Sequence, residues 1–146
     1  MQIEVSIDQS CKEPKIIILT DKISDEINEI IKRLSEINPD SMTALSEKGV
    51  EILEYKDVIR FYSENKKVFV ETLKGKYIVR SRLYELEEKL DNKRFVRISN
   101  SEIVNIKKIR SMDTSITGTI CVVLQGDIKT YSSRRYVGKI KQLFGI

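Results

Sequence analysis

From Gly49 onward the chain is cut into short β-type segments separated by turn residues, and this spacing constrains the fold more than any other feature of the sequence. VEILEY (50–55) and DVIRFYSE (57–64) come first; KVFVETL (67–73) and KYIVRS (76–81) then flank Lys74-Gly75, a hairpin signal. FVRIS (95–99), EIVNIKKI (102–109) and ICVVL (120–124) read as three further strands. Gln125-Gly126-Asp127 turns the last of these into IKTYS (128–132). Parallel strands need a crossover of a dozen or more residues, so strands this closely spaced pair antiparallel. Two short helices interrupt the pattern. One is capped by Ser81, with Leu83, Leu86 and Leu90 inward and Glu85, Glu87, Glu88 and Lys89 outward. The other runs from about Arg134 to Phe144, with Ser132 and Ser133 as N-cap residues and Tyr136, Val137, Ile140, Leu143 and Phe144 at helical spacing. The expected class is mainly β (α+β): an antiparallel β domain with short helices over residues 45–146.

Residues 1–44 read differently, as a small strand-strand-helix element. QIEVSI (2–7) alternates, KEP (12–14) is a turn, and KIIIL (15–19) is a short buried strand. Ser24 caps a helix whose first turn holds Asp25 and Glu26, where the helix dipole favours acids. Its apolar stripe is Ile27, Ile30, Ile31, Leu34 and Ile37, and INPD (37–40) ends it. Five large aliphatics on one face must be covered, either by the adjacent strands or by a second subunit. The element is therefore expected to serve packing or dimerisation.

Composition removes most enzymology. The chain has no histidine, so no Ser-His-Asp or Cys-His arrangement and no His-bearing zinc site can be built. Cys11 and Cys121 cannot make a structural zinc site alone and are expected to be reduced thiols. The carboxylates lack a metal-ligand spacing, and the six glycines form no phosphate loop. A non-enzyme with no cofactor, metal or small-molecule ligand is expected. No apolar run approaches the roughly 18 residues needed to cross a bilayer. The first ten residues, MQIEVSIDQS, carry no basic stretch followed by an apolar one, so a cytoplasmic location without membrane association is expected.

Charge is informative once it is divided by position. The formal net charge is +4, yet residues 1–44 are net acidic and the remainder strongly basic. Residues 93–110 hold six basic residues and one acid, and residues 129–146 hold five basic residues and no acid. One part of the chain is thus suited to meet a polyanion. Three polar, basic sites fall at strand ends: SENKK (63–67), RISNSE (97–102) and Ser133-Arg134-Arg135. Arg, Lys and Asn are the side chains that read base edges in duplex DNA. The same basic patch also suits a non-enzymatic module that binds an acidic partner protein.

FVRISNSEIVNIKKI followed by IKTYSSRRYVGKIKQLFGI carries a wider pattern. With LYELEEKL, Phe95, Arg97, Asn100-Ser101, Val104-Asn105 and the closing Ser133-Arg134-Arg135-Tyr136, the stretch from about Leu45 to Ile146 resembles the LytTR domain, the DNA-binding domain of LytR/AgrA-type transcriptional regulators. The resemblance implies elongated antiparallel sheets whose loops, rather than a recognition helix, enter neighbouring major grooves of bent DNA. It also implies base contacts by Lys67, Asn100 and Arg135. The neighbouring Lys66, Arg97, Ser99, Ser101, Ser133 and Arg134 are expected to hold phosphates or support the loops. Three positions depart from the family's pattern: Ser99 and Lys67 stand where relatives carry histidine, and Glu102 stands where an aromatic is expected. The DNA target therefore does not transfer from a relative. Forty-four residues cannot supply a receiver domain, so the resemblance is to the short class of LytTR proteins.

One local oddity fits this expectation. Arg134 and Arg135 occupy the first turn of the last helix, where a cation costs roughly 0.3–1 kcal/mol. An Arg–guanine pair gives about 1–3 kcal/mol of base discrimination, which outweighs that cost. The expected protein is a bacterial-type transcription regulator that binds double-stranded DNA, as a homodimer.

Overall fold

A computed structural model describes residues 1–37 and 39–146. In chain order its elements are α1 (Asp25–Ile37), β1 (Ser41–Ser46), β2 (Gly49–Glu54), β3 (Val58–Glu64), β4 (Lys67–Thr72), β5 (Gly75–Val79), α2 (Leu83–Lys89), β6 (Phe95–Ser99), β7 (Glu102–Asn105), β8 (Ile109–Asp113), β9 (Cys121–Leu124), β10 (Ile128–Tyr131) and α3 (Arg134–Phe144). Seven strands form one sheet in the order β2-β1-β5-β4-β3-β7-β6, and three form a second in the order β10-β9-β8. Every ladder is antiparallel. The expected antiparallel, mainly β class with short helices is the observed one.

Strand alternation splits the interior into two cores. Val58 of β3, Phe95 of β6 and Ile103 of β7 join Phe61, Val70, Leu83, Leu86 and Leu90 under α2. Their chain neighbours Ile59, Val96 and Val104 point the other way. These meet Ile98, Ile120, Val122, Leu124 and Ile140 beneath the second sheet and α3. The strands β3, β6 and β7 are thus buried on both faces, and the large sheet is the middle layer.

EIVNIKKI, expected as one strand, is two. The buried Asn105 donates from Nδ2 to the Val58 carbonyl at 2.8 Å. Its Oδ1 accepts from the Lys107 N–H at 3.0 Å and caps a 3-10 turn at Ile106–Lys108. The chain passes through that turn from β7 in the first sheet to β8 in the second. The other strands lie within two residues of their expected limits, and α3 matches at both ends. At α2 the cap position is Arg82 rather than Ser81, and the Arg82 N–H donates to Glu85 Oε1 at 3.0 Å.

The front of the chain corrects two expectations. QIEVSI and KIIIL form no strand, and Ile3, Val5 and Ile7 are more than four-fifths exposed. Alternation supplies the side-chain pattern of a strand, but a strand also needs a ladder partner. Neither segment pairs with an edge of this chain. Ser24 does cap α1, accepting from the Ile27 N–H at 3.3 Å. Ile27 is buried, Ile30, Ile31 and Leu34 are half-buried, and Ile37 is exposed. Of the INPD stop, Asn38 lies outside the described residues. SMTALS (41–46), unread as a strand, is β1, and the expected division at 44/45 falls inside it. Among the described residues no helix is long and apolar enough to cross a membrane.

Candidate nucleic-acid interface

The expected binding residues sit on three turns, and strand register sets all three at one end of the sheets. The β3–β4 connection is a two-residue turn, Asn65-Lys66, closed by the Glu64–Lys67 pair. Both central residues have positive φ (51° and 63°), the geometry of a type I′ hairpin. The β6–β7 connection is Asn100-Ser101, closed by Ser99 and Glu102. Tyr62 of β3 pairs with Glu102 of β7, which brings the two turns side by side. The Ser63 N–H then donates to the Ser101 carbonyl at 2.9 Å.

The third turn joins them through β6: the Ser133 N–H donates to the Ile98 carbonyl at 2.9 Å, two residues before Asn100. Ser132, expected beside Ser133 as a cap, has another task. It is buried, and its Oγ accepts from the Ile120 N–H at 3.0 Å. Ser133 occupies the N-cap position of α3 without a side-chain cap bond. Arg134 and Arg135 are exposed, and among the described residues neither is in an ion pair. Pairing with nearby acids therefore does not account for their position in the first turn. The Arg135 guanidinium lies 5.8 Å from the Tyr136 ring centroid. Arg134 runs close over Gly118, where an added Cβ would come within 3.0 Å of Nε.

Lys66, Lys67, Arg97 and Asn100 line a single cleft of about 390 Å³ between the first two turns. Lys66, Lys67 and Asn100 are exposed, whereas the Arg97 side chain is only 12% exposed. Its guanidinium donates to the Ser99 carbonyl at 2.8 Å and the Asn100 carbonyl at 2.7 Å, and faces Glu87 at 3.5 Å. Ser99 and Ser101 hold each other, Oγ to Oγ, at 3.2 Å. Arg97, Ser99 and Ser101 thus fix the turn from within and leave the Asn100 side chain outward. Arg134 and Arg135 lie outside the cleft.

Glu102, the departure from the family's aromatic, is a buried carboxylate. Thr130 of β10 donates to its Oε1 at 2.6 Å, and Arg60 of β3 to its Oε2 at 3.2 Å. Arg60 also donates to Glu71 at 2.8 Å and lies 4.4 Å from the Tyr62 ring centroid. Burial opposes the Arg60 charge, but hydrogen bonds and attraction to Glu71 and Glu102 outweigh it and raise its pKa. The network ties the second sheet to the first directly behind the Asn100 turn. Sequence reasoning missed it, because a lone Glu between Ser101 and Ile103 gives no sign of its partners 42 and 28 positions away. Among the described residues no cluster of His, Cys, Asp and Glu could hold a metal, and Cys11 and Cys121 are both free.

Comparison with known proteins follows the same lines. The family profile of the LytTr DNA-binding domain matches residues 48–145. Proteins described as uncharacterized HTH-type transcriptional regulators from Staphylococcus aureus align with the whole chain and 99% of their own length. The one from strain NCTC 8325 is 34% identical and the one from strain MRSA252 is 33% identical. The solved structure of a LytTr DNA-binding domain from Bacillus cereus superposes with a TM-score of 0.71 at 20% identity, over 73% of this chain and 98% of that one. Despite the relatives' description, no two helices are consecutive in this chain among the described residues.

Proposed function

Because the chain belongs to the LytTR DNA-binding domain family, we propose that it is a transcription regulator that reads duplex DNA sequence-specifically with its strand-end turns. The observation that carries this reading is the gathering of three turns at one end of the sheets: Lys66-Lys67, Asn100-Ser101 and Ser133–Arg135. Lys67, Asn100 and Arg135 are the base-reading side chains, because each is exposed and of a type that matches base edges. Lys66 and Arg134 neutralise phosphates; Arg97, Ser99, Ser101 and Ser133 hold the turns in place. In this reading the turns, rather than a recognition helix, meet the bases, in keeping with the absence of two consecutive helices among the described residues. A homodimer would place two half-sites about 10 or 20 bp apart. Residues 1–37, with the apolar stripe of α1 and the exposed aliphatics before it, are the dimerisation element of this reading.

Selection of binding sites from a random duplex library, followed by titration of the selected site at several salt concentrations, tests the proposal. Expected is an enriched sequence and a log affinity that falls linearly with log salt, by about 0.9 per phosphate neutralised. No enrichment together with a flat salt dependence would reject DNA as the ligand and leave an acidic protein partner to be sought.

A further inference from the structure

The cationic surface continues past the three turns. The β4–β5 ladder ends at the Val68–Val79 pair, and carrying that register one step on sets Lys67 opposite Arg80. Like charges directly opposite on a sheet are destabilising. Arg80 and Ser81 then lead to Arg82 at the start of α2. Lys66, Lys67, Arg80 and Arg82 line one shallow cavity of about 200 Å³. Arg82 also lines the larger cleft shared with Arg97 and Asn100, so it bridges the two.

All four cations are exposed, and among the described residues none is in an ion pair. Two carboxylates stand nearby. Glu64 lines the larger cleft but not the smaller cavity, and Glu85 is engaged by the Arg82 backbone N–H. Four cations with two carboxylates near them and no ion pair among them leave an excess of positive charge that a polyanion relieves. Neither cavity is an enclosed apolar chamber, so both suit a linear polyanion passing across the surface better than a small molecule.

Resting on the duplex-DNA reading above, we infer that Arg80 and Arg82, with Lys66, form a phosphate clamp beside the base-reading turns. The clamp holds the sugar-phosphate backbone as it leaves the Asn100 turn. It carries no sequence information, because phosphates are the same at every step. Its role is to fix the register in which Lys67 and Asn100 meet their bases.

The test uses the full chain and two duplexes, the selected site and a random sequence. The Arg80→Gln/Arg82→Gln pair should lose affinity by the same factor on both duplexes. Its slope of log affinity against log salt should fall by about 0.9 for each phosphate no longer neutralised. The Arg80→Lys/Arg82→Lys pair, which keeps both charges, should retain the wild-type slope. Single Arg80→Gln, at an exposed strand end, provides a folded variant if the double change does not fold, and its slope should fall by about half as much. An unchanged slope in the Gln variants, weakening confined to the selected site, or a reduced slope in the Lys pair would each overturn the clamp. A wild type with no salt-dependent duplex binding would remove the DNA reading itself and the clamp with it. A wild type that binds while the Gln variants match it would remove the clamp alone.

Discussion

The Arg97 guanidinium holds the carbonyl of Asn100 at 2.7 Å from beneath the turn, so an exposed residue of the β6–β7 connection is positioned by a cation whose side chain is only 12% exposed. Removing that fork frees the Ser99 and Asn100 carbonyls and loosens the turn. On the proposed reading, Arg97→Ala should therefore weaken discrimination at the base pair assigned to Asn100 while leaving other positions of the site unchanged. Arg97→Lys should recover little, since an ammonium cannot reproduce the planar two-carbonyl geometry. Titration against single-base variants of the selected site measures both.

Arg134 and Arg135 adjoin in sequence but are assigned different tasks. Arg135→Ala should cost about 1–3 kcal/mol on the selected site and relax selection at one base-pair position. Asn100→Ala should behave in the same way at a different position. Arg134→Ala should weaken binding to all sequences about equally. Titration on the selected site and its single-base variants separates these outcomes, and a uniform weakening for Arg135→Ala would reduce it to another phosphate contact.

Glu102 is a stability prediction. Truncating one partner of a buried ion pair costs about 3–5 kcal/mol, because the other charge is left buried and uncompensated. Arg60 retains Glu71, so Glu102→Ala should fall toward the lower end of that range. Glu102→Gln, which keeps an acceptor for Thr130, should cost less. Chemical denaturation with the midpoint and slope compared to wild type gives the answer. Wild-type stability in Glu102→Ala would mean that the tie between the sheets contributes nothing.

Where the chain's own periodicity determines an element, that element was legible. The leucines of α2 and the stripe of α3 announce helices because each helix buries one face, and the short strands announce themselves by alternation and turns. β1 was not legible: SMTALS has little apolar contrast and is a strand because β2 and β5 flank it. QIEVSI failed in the opposite sense, with the pattern of a strand and no ladder. Asn105 shows why the β7–β8 break was hidden, since its partner carbonyl at Val58 is distant in sequence. The turn residues proposed for the interface could be picked out from residue type, position and the family resemblance. Arg80 and Arg82 could not, because only the register of β4 with β5 brings them beside Lys67.

The left-handed backbone at Lys66 has an evolutionary consequence. A side chain at φ 63° carries a steric penalty of about 1–2 kcal/mol that glycine avoids. Glycine after Asn65 would also complete the dipeptide that type I′ turns prefer. Part of that gain is offset by the larger entropy of glycine in the unfolded chain, so Lys66→Gly should stabilise the protein by a few tenths to about 1 kcal/mol. On the proposed reading the same change removes one phosphate-neutralising charge and lowers the salt slope by about 0.9. Melting temperature and DNA affinity should thus move in opposite directions in this one variant. Selection for robustness alone would favour glycine here, so on the proposed reading the lysine marks a position where backbone ease is exchanged for charge.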